Sequence, residues 1–186
     1  MSADFVAQYR LRAEALEPRI RAVTGGLTPA QLAATPPQGG WSIAQVFEHL
    51  CRVAESYDPA IARALASARA RTGAPREFRG TLFGTLLRKA LMESNRTPMP
   101  APRAWQPLAA RERAVEEFVA HARRTADRLR EAERLDVRGM LSSPMLGLLR
   151  MNLAEALAIE VVHAERHLGQ AERARAAIAT IAAIKR

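Results

Sequence analysis

NLAEALAIEVVHAERHLGQAERARAAIATIAAI, residues 152–184, is the stretch on which the fold turns. Asn152 with Glu155 three residues on is a capping box, the signature of a helix start, and the run then predicts one long helix to about Ile184. At about 100° per residue, Leu153, Ala156, Leu157, Glu160, Ala164, Leu168, Ala171 and Ile178 fall on one face, together with His163 and His167. That face is apolar and therefore the buried one. It also carries three titratable groups, Glu160, His163 and His167, which are costly to bury unless something compensates them.

Outward from this helix the same periodicity recurs. A first helix is predicted from about Ala3 to Val23, with Phe5, Tyr9 or Val6, Leu16, Ile20 and Val23 as its stripe, ended by Gly25 and Gly26. Thr28-Pro29 caps a short turn of helix to Ala34 before Pro36, Pro37, Gly39 and Gly40 break the chain. Ser42 caps the second long helix, Ile43 to about Ala70, whose inner face is Ile43, Val46, Phe47, Leu50, Val53, Tyr57, Ile61 and Leu65, with a bend expected at Pro59. Residues from Thr72 to Leu108 are irregular and rich in proline, with a short helix around Thr81 to Glu93, and read as an excursion over the surface. A third long helix follows from about Ala109 to Arg134, then a Ser143-Pro144 cap opening a short helical segment through Leu149. The prediction is an all-α protein, a four-helix bundle with a long crossover between helices two and three, in which sites are built from side chains projecting inward.

Composition agrees with a single globular domain spanning residues 1–186. Hydrophobic residues make up 48% and charged residues 25%, so disorder is not expected, and a core of this size needs neither a disulfide nor a structural metal. Any metal would therefore be functional. The 38 alanines, against 5% aromatics, favour helix over strand. The single cysteine, Cys51, gives no sign of an oxidising compartment. No apolar run is long enough to span a bilayer, and Asp4, Arg10 and Arg12 interrupt the N-terminal region where a signal peptide would be apolar. A cytoplasmic protein is the expectation, with no membrane partner. The net charge is +9, and all but two of the 28 basic residues are arginine. Many lie at helical spacing from acids, as Arg123 with Asp127 and Asp127 with Arg130, so solvated helix faces are expected rather than a nucleic-acid site.

The four histidines are His49, His121, His163 and His167. His163 and His167 stand four apart, which brings two ring nitrogens to the spacing that one divalent metal requires. The alternative reading is a pair of surface or capped core histidines. His49 is the candidate third ligand, at the flank of the second helix's stripe, where a ligand at a cavity mouth would sit. His121, four residues after Glu117, reads as an exposed helix residue.

WSIAQVFEHL, from Trp41 to Leu50, resembles the opening of helix two in the DinB-like metal-binding four-helix bundles, and SPMLGLLRMNLAEALAIEVVHAERHLGQAERA, from Ser143 to Ala174, resembles the block that opens and fills helix four in the DinB-2 branch. MPAPRAWQPL is similar in style to that branch. The resemblance implies that His49, His163 and His167 are the three ligands of a divalent metal, Zn²⁺ or Ni²⁺, with coordination positions open to water or substrate. It implies thiol-dependent S-transferase or isomerase chemistry with a low-molecular-weight thiol as one reading of the activity. Glu160 would then be a general base, a fourth ligand or the partner that holds a histidine tautomer, the last being preferred.

Two function classes follow. One is a metal-dependent transferase or hydrolase acting on a small-molecule electrophile; the other is a non-catalytic metal- or ligand-binding stress-response bundle. An enzyme needs an open metal position at the base of a solvent-connected pocket, whereas a structural site is closed. Trp41 reads as a hydrophobic staple, Trp105 as a plug over the bundle, Gln170 as an inward or surface glutamine, and Cys51 as an inert thiol away from the apolar stripe. Arg52 and Arg166 flank the candidate ligands. Ile178, Ile181 and Ile184 offer an apolar face for a homodimer.

Overall fold

The computed structural model describes residues 5–72, 78–92, 94, 100–144 and 147–184, with residues 181–184 taken as backbone. The described chain is mostly helical, with a single two-stranded sheet. Its elements are α1 (Phe5–Glu14), α2 (Leu16–Thr24), α3 (Pro29–Ala33), α4 (Ile43–Ser67), α5 (Leu82–Leu91), α6 (Ala114–Ala132), β1 (Met140–Ser142), β2 (Arg150–Asn152) and α7 (Leu153–Ile184).

The predicted first helix is two helices. Pro18 has no N–H for the Glu14 carbonyl and its ring crowds that turn, so the helix breaks at Ala15, flanked by long bonds from Ala15 N to Leu11 O (3.3 Å) and from Arg19 N to Ala15 O (3.4 Å). Pro59, by contrast, does not end α4, which runs through it to Ser67. The chain leaves that helix three residues earlier than predicted, because Ala70 bridges to Leu135. Thr28 and Ser42 form the expected N-caps, each with its reciprocal glutamine, Gln31 and Gln45. Of the segment expected to be helical from Ser143 through Leu149, residues 145 and 146 lie outside the described residues, and the described remainder belongs to a hairpin instead: Leu141 pairs with Met151, both are buried, and Ser143 N–H donates to Leu149 O at 2.8 Å. The alternation of exposed Met140 with buried Leu141 is a period of two, which suits a strand and not a helix.

α4 packs against both α6 and α7, α1 against α6 and α7, and α2 against α7 and α6, while α5 lies on α7. The first half of α7 is mostly apolar and buried on nearly every side: Leu153, Ala156, Leu157, Ala158, Val161 and Val162 are all inaccessible to solvent, and so is the hydrogen-bonded Glu155. Buried side chains form two clusters, one around this half of α7 and the lower part of α4, the other around α2, the start of α4 and the second half of α7. His49 and His163 stand where the two meet, since Leu50 and Ala164 belong to one cluster and Val53 and Val162 to the other.

The arginines are largely engaged across helices. Arg19 donates to Glu172 at 2.6 Å and Arg12 grips Glu165, ties that fasten α2 and α1 to α7. Arg130 pairs with Asp127 as its spacing predicts, but Arg123 reaches Glu17 on α2 instead of Asp127.

Candidate metal centre

Each of the three predicted ligands is delivered by a different local device. Ser42 and Gln45 start α4 at a defined residue, which sets His49 seven positions along and turns it fully inward at 2% exposure. The flank position predicted for it is thus a buried one. Asn152 and Glu155 do the same for α7: Asn152 Oδ1 accepts from Glu155 N–H at 2.9 Å, and Glu155 Oε2 accepts from Asn152 N–H at 3.1 Å. His163 and His167 follow about three and four turns after Asn152, on the side that meets α4.

The three rings converge. Their centroids are 5.1 Å apart for His49 and His163, 4.6 Å for His49 and His167, and 4.6 Å for His163 and His167. One nitrogen of each lies within 4.8 Å of the others. The His49 and His163 Nε2 atoms are 3.2 Å apart, close to the ~3.3 Å separating two nitrogens bound tetrahedrally at ~2.0–2.1 Å to one ion.

The outer edges of two rings are held by acceptors. His49 Nδ1 lies 2.8 Å from the carbonyl oxygen of Trp105, and since a carbonyl cannot donate, the ring must carry its proton there. His167 Nδ1–H likewise donates to Gln170 Oε1 at 3.0 Å. Both rings therefore turn an Nε2 lone pair inward, and lone pairs gathered in this way repel unless a proton or a cation lies between them. The donor set fits a divalent metal.

Burial keeps the rings neutral. Desolvation pushes His167 down to about 3, with His49 adding to the effect; it places His163 well below the ordinary histidine value, with His167 and His49 adding to it; and it lowers His49 despite its bond to Trp105 O. Trp41 stacks on His167 at 5.9 Å and 19° and tilts over His49 at 4.8 Å, so it is a wall of the site as well as a helix-entry residue.

The crossover is fastened to α4 beside these rings. Gln45 Nε2–H donates to Pro107 O at 3.2 Å, Trp105 O accepts from His49, and Arg111 donates from its backbone N–H and its Nε–H to Glu48 Oε2 at 3.1 and 2.8 Å. Burial would push the Glu48 carboxyl up, but Arg111 and Arg52 hold it below the usual carboxylate range. Arg52, which flanks the candidate ligands in sequence, pairs with Glu48 at 2.6 Å. Sequence reasoning missed Glu48 and Arg111; the only available signal was an acid on the buried side of a helix, Glu48, next to a candidate ligand.

Glu160 is not brought into the triad. Its Oε2 accepts from Thr125 Oγ1 at 3.1 Å in a narrow cleft of about 20 Å³, which His163 and His121 also line. Desolvation pushes its carboxyl up to about 7, against the opposing pull of the Thr125 bond. His121 is half-buried rather than exposed, and burial, with Arg124 at 2.9 Å from its Nδ1, lowers its pKa. Cys51 is wholly buried against α6, not turned away from the core; its thiol donates to Ala114 O at 3.4 Å, and burial pushes it up to about 12.

On its open side the triad faces a cavity of about 100 Å³. All three histidines line it, with Trp41, Trp105, Tyr57, Leu87 and Leu91 among its apolar walls and Arg166 at its edge. α5 forms one side of this cavity and is latched to α7 at its N-terminus: Thr81 Oγ1–H donates to Glu155 Oε2 at 2.8 Å, and a Cβ on Gly84 would stand 2.4 Å from the same carboxyl carbon.

No curated protein and no solved structure matches the chain. The family model of the DinB superfamily, DinB_2, matches residues 12–171, which takes in both arms of the histidine site, and the chain belongs to that superfamily.

Proposed function

We propose that the protein is a metal-dependent enzyme of the transferase or hydrolase type, built as a DinB-like four-helix bundle in which α1 and α2 together make the first arm. His49, His163 and His167 would hold a divalent ion, Zn²⁺ or Ni²⁺, on three neutral imidazoles. Such an ion, when bound, would supply Lewis acidity and lower the pKa of a thiol or water beside it. The chain's own residues do the rest. Trp105 O and Gln170 Oε1 fix the tautomers of His49 and His167, the aromatic walls exclude bulk water, and Arg166 adds positive charge at the edge of the cavity.

One observation carries this reading over a closed, non-catalytic metal site: all three histidines line a cavity of about 100 Å³. A structural site would enclose its ion with a fourth protein ligand, and no fourth His, Cys, Asp or Glu joins the group among the described residues. Glu160, held by Thr125 rather than by a histidine, is proposed to act only on the triad's surroundings, through the cleft it shares with His163. A low-molecular-weight thiol is the proposed co-substrate.

The test is metal analysis of protein purified without an affinity tag, followed by thiol-consumption assays with small electrophiles on metal-loaded and metal-stripped samples. About one ion per chain and metal-dependent thiol consumption are expected. One ion per chain with no turnover of any thiol or water substrate would favour the binding-protein reading instead.

We also propose a homodimer, checked by light scattering at micromolar concentration. Of the three isoleucines on which the expectation rested, Ile178 packs against the second core cluster, and the side chains of Ile181 and Ile184 lie outside the described residues. The exposed Leu82 and Leu86 on α5 are an alternative apolar patch. Among the described residues no helix is long and apolar enough to cross a membrane.

A further inference from the structure

Of the three imidazoles, His163 alone lacks an outer anchor among the described residues. Trp105 O and Gln170 Oε1 hold the Nδ1–H of His49 and His167, whereas His163 bonds only through Nε2. Its Nδ1 is nonetheless not sealed off, because the one wholly buried side-chain nitrogen or oxygen without a hydrogen bond among the described residues is Arg88 Nε. The same holds for Glu160 Oε1, since Thr125 engages only Oε2. Both atoms are therefore open to a water-sized body, and both residues line one cleft. Its volume of about 20 Å³ exceeds the roughly 10–15 Å³ that one water needs and falls short of two. The apolar walls, Leu50, Val53 and Phe118 among them, offer such a water no partner, so its hydrogen bonds fall to Glu160, His163, Thr125 and His121.

The anchor matters because His163 has two tautomers. His49, its proton held on Nδ1 by Trp105 O, turns an Nε2 lone pair toward His163 Nε2 at 3.2 Å. A proton on His163 Nε2 would donate to that lone pair and close the centre to an ion; a proton on Nδ1 frees Nε2 but needs an acceptor elsewhere around the ring. We propose that Glu160, itself set by Thr125, is a positioning residue for His163 through a single water in this cleft. The water accepts from His163 Nδ1–H and donates to Glu160 Oε1, so the third Nε2 lone pair joins the other two. The inference rests on the metal-centre reading above and gives that centre its third orienting contact.

The native Zn²⁺-loaded protein is tested first. Its crystal structure should show a water within hydrogen-bond distance of His163 Nδ1 and Glu160 Oε1, and nitrogen NMR of the histidine side chains should show His163 protonated on Nδ1. Glu160→Leu, similar in volume but without an acceptor, should lower Zn²⁺ affinity about tenfold or more in competition with a chelator. Glu160→Gln, which keeps an acceptor oxygen, should stay within about threefold of the native affinity. A role in folding alone would instead lower the melting temperature of metal-free Glu160→Leu and leave its Zn²⁺ affinity unchanged. His163 bound through Nδ1, a cleft without that water, native affinity in Glu160→Leu, or equal losses in the two variants would overturn the proposal and leave the metal centre standing. Native protein that cannot be loaded with Zn²⁺ would overturn the metal centre, and this inference with it.

Discussion

His49 Nδ1 donates to the carbonyl oxygen of Trp105 at 2.8 Å, so a backbone atom of the crossover decides which nitrogen of a core histidine faces its two partners on α7. A carbonyl acceptor cannot be removed by changing the side chain, which makes the His49 tautomer a property of the chain's path. Gln170 plays the same part for His167 with a side chain that can be substituted.

Gln170→Ala should therefore weaken metal binding by about 10- to 100-fold, the usual cost of losing the partner that orients a ligand, with little change in the thermal midpoint. Competition with a chelator of known affinity measures the first, and circular dichroism melting the second. An unchanged metal affinity would show that His167 does not depend on this bond.

His163→Ala and His167→Ala should each abolish metal retention, lowering affinity by more than about 100-fold, while the far-ultraviolet dichroism stays helical. The core is extensive, with Phe47, Ile20, Ile61, Leu129, Leu157 and Leu168 all below 2% exposure, so the fold does not hang on one ion. A His167→Ala protein that kept its full metal content, or that unfolded outright, would contradict an open site on a self-sufficient core.

Acid should act on the metal-free and metal-loaded protein with the same sign. The folded-state pKa of His167 lies near 3, below the unfolded value of about 6.5, so below pH 6.5 the unfolded chain takes up a proton that the folded chain refuses. Stability of the metal-free protein should fall as pH drops from 6.5 toward 3, in urea titrations at several pH values. Metal bound to the imidazoles opposes protonation further, so occupancy should hold at pH 6 and be lost only well into the acid range, below the ordinary histidine pKa.

Glu160 has the opposite relation to pH. Its folded-state pKa, near 7, lies above the ordinary 4.5, so between those values the unfolded chain releases a proton that the folded chain keeps. The folded state is penalised increasingly from pH 4.5 to 7 and constantly above that. Glu160→Gln should relieve the penalty, raising stability at pH 8 by about 1–3 kcal/mol and hardly at all at pH 4.5.

Cys51, its thiol pushed up to about 12 by burial, should be silent toward a thiol reagent at pH 8 until the protein is unfolded. Fast stoichiometric labelling of the native protein would place the residue at the surface.

The elements that a local signal encodes were legible in the sequence. The capping boxes at Thr28, Ser42 and Asn152 are written in four residues each, and the two that start α4 and α7 set the phase of all three histidines. The break at Ala15 was legible too, through Pro18, but the long apolar stripe on either side outweighed it. What could not be read were relations across large separations. The buried pair of Glu48 with Arg111 spans 63 residues, and the Thr125 hydroxyl that claims Glu160 comes from another helix. Cys51 looked outward only because a stripe drawn for one neighbouring helix ignores the second one, α6, that covers its other side.

The Glu155 carboxylate completes two helix starts at once, accepting the Asn152 N–H at the head of α7 and the Thr81 hydroxyl, which in turn caps Gly84 N–H on α5. Lifting α5 from the cavity by its N-terminus would take the Thr81 and Thr85 hydroxyls from the wholly buried Glu155, while the reciprocal cap with Asn152 would stay within α7. Access to the cavity along that edge thus carries the cost of leaving a buried acceptor unmet, which sets it apart from the fraying of an exposed helix end.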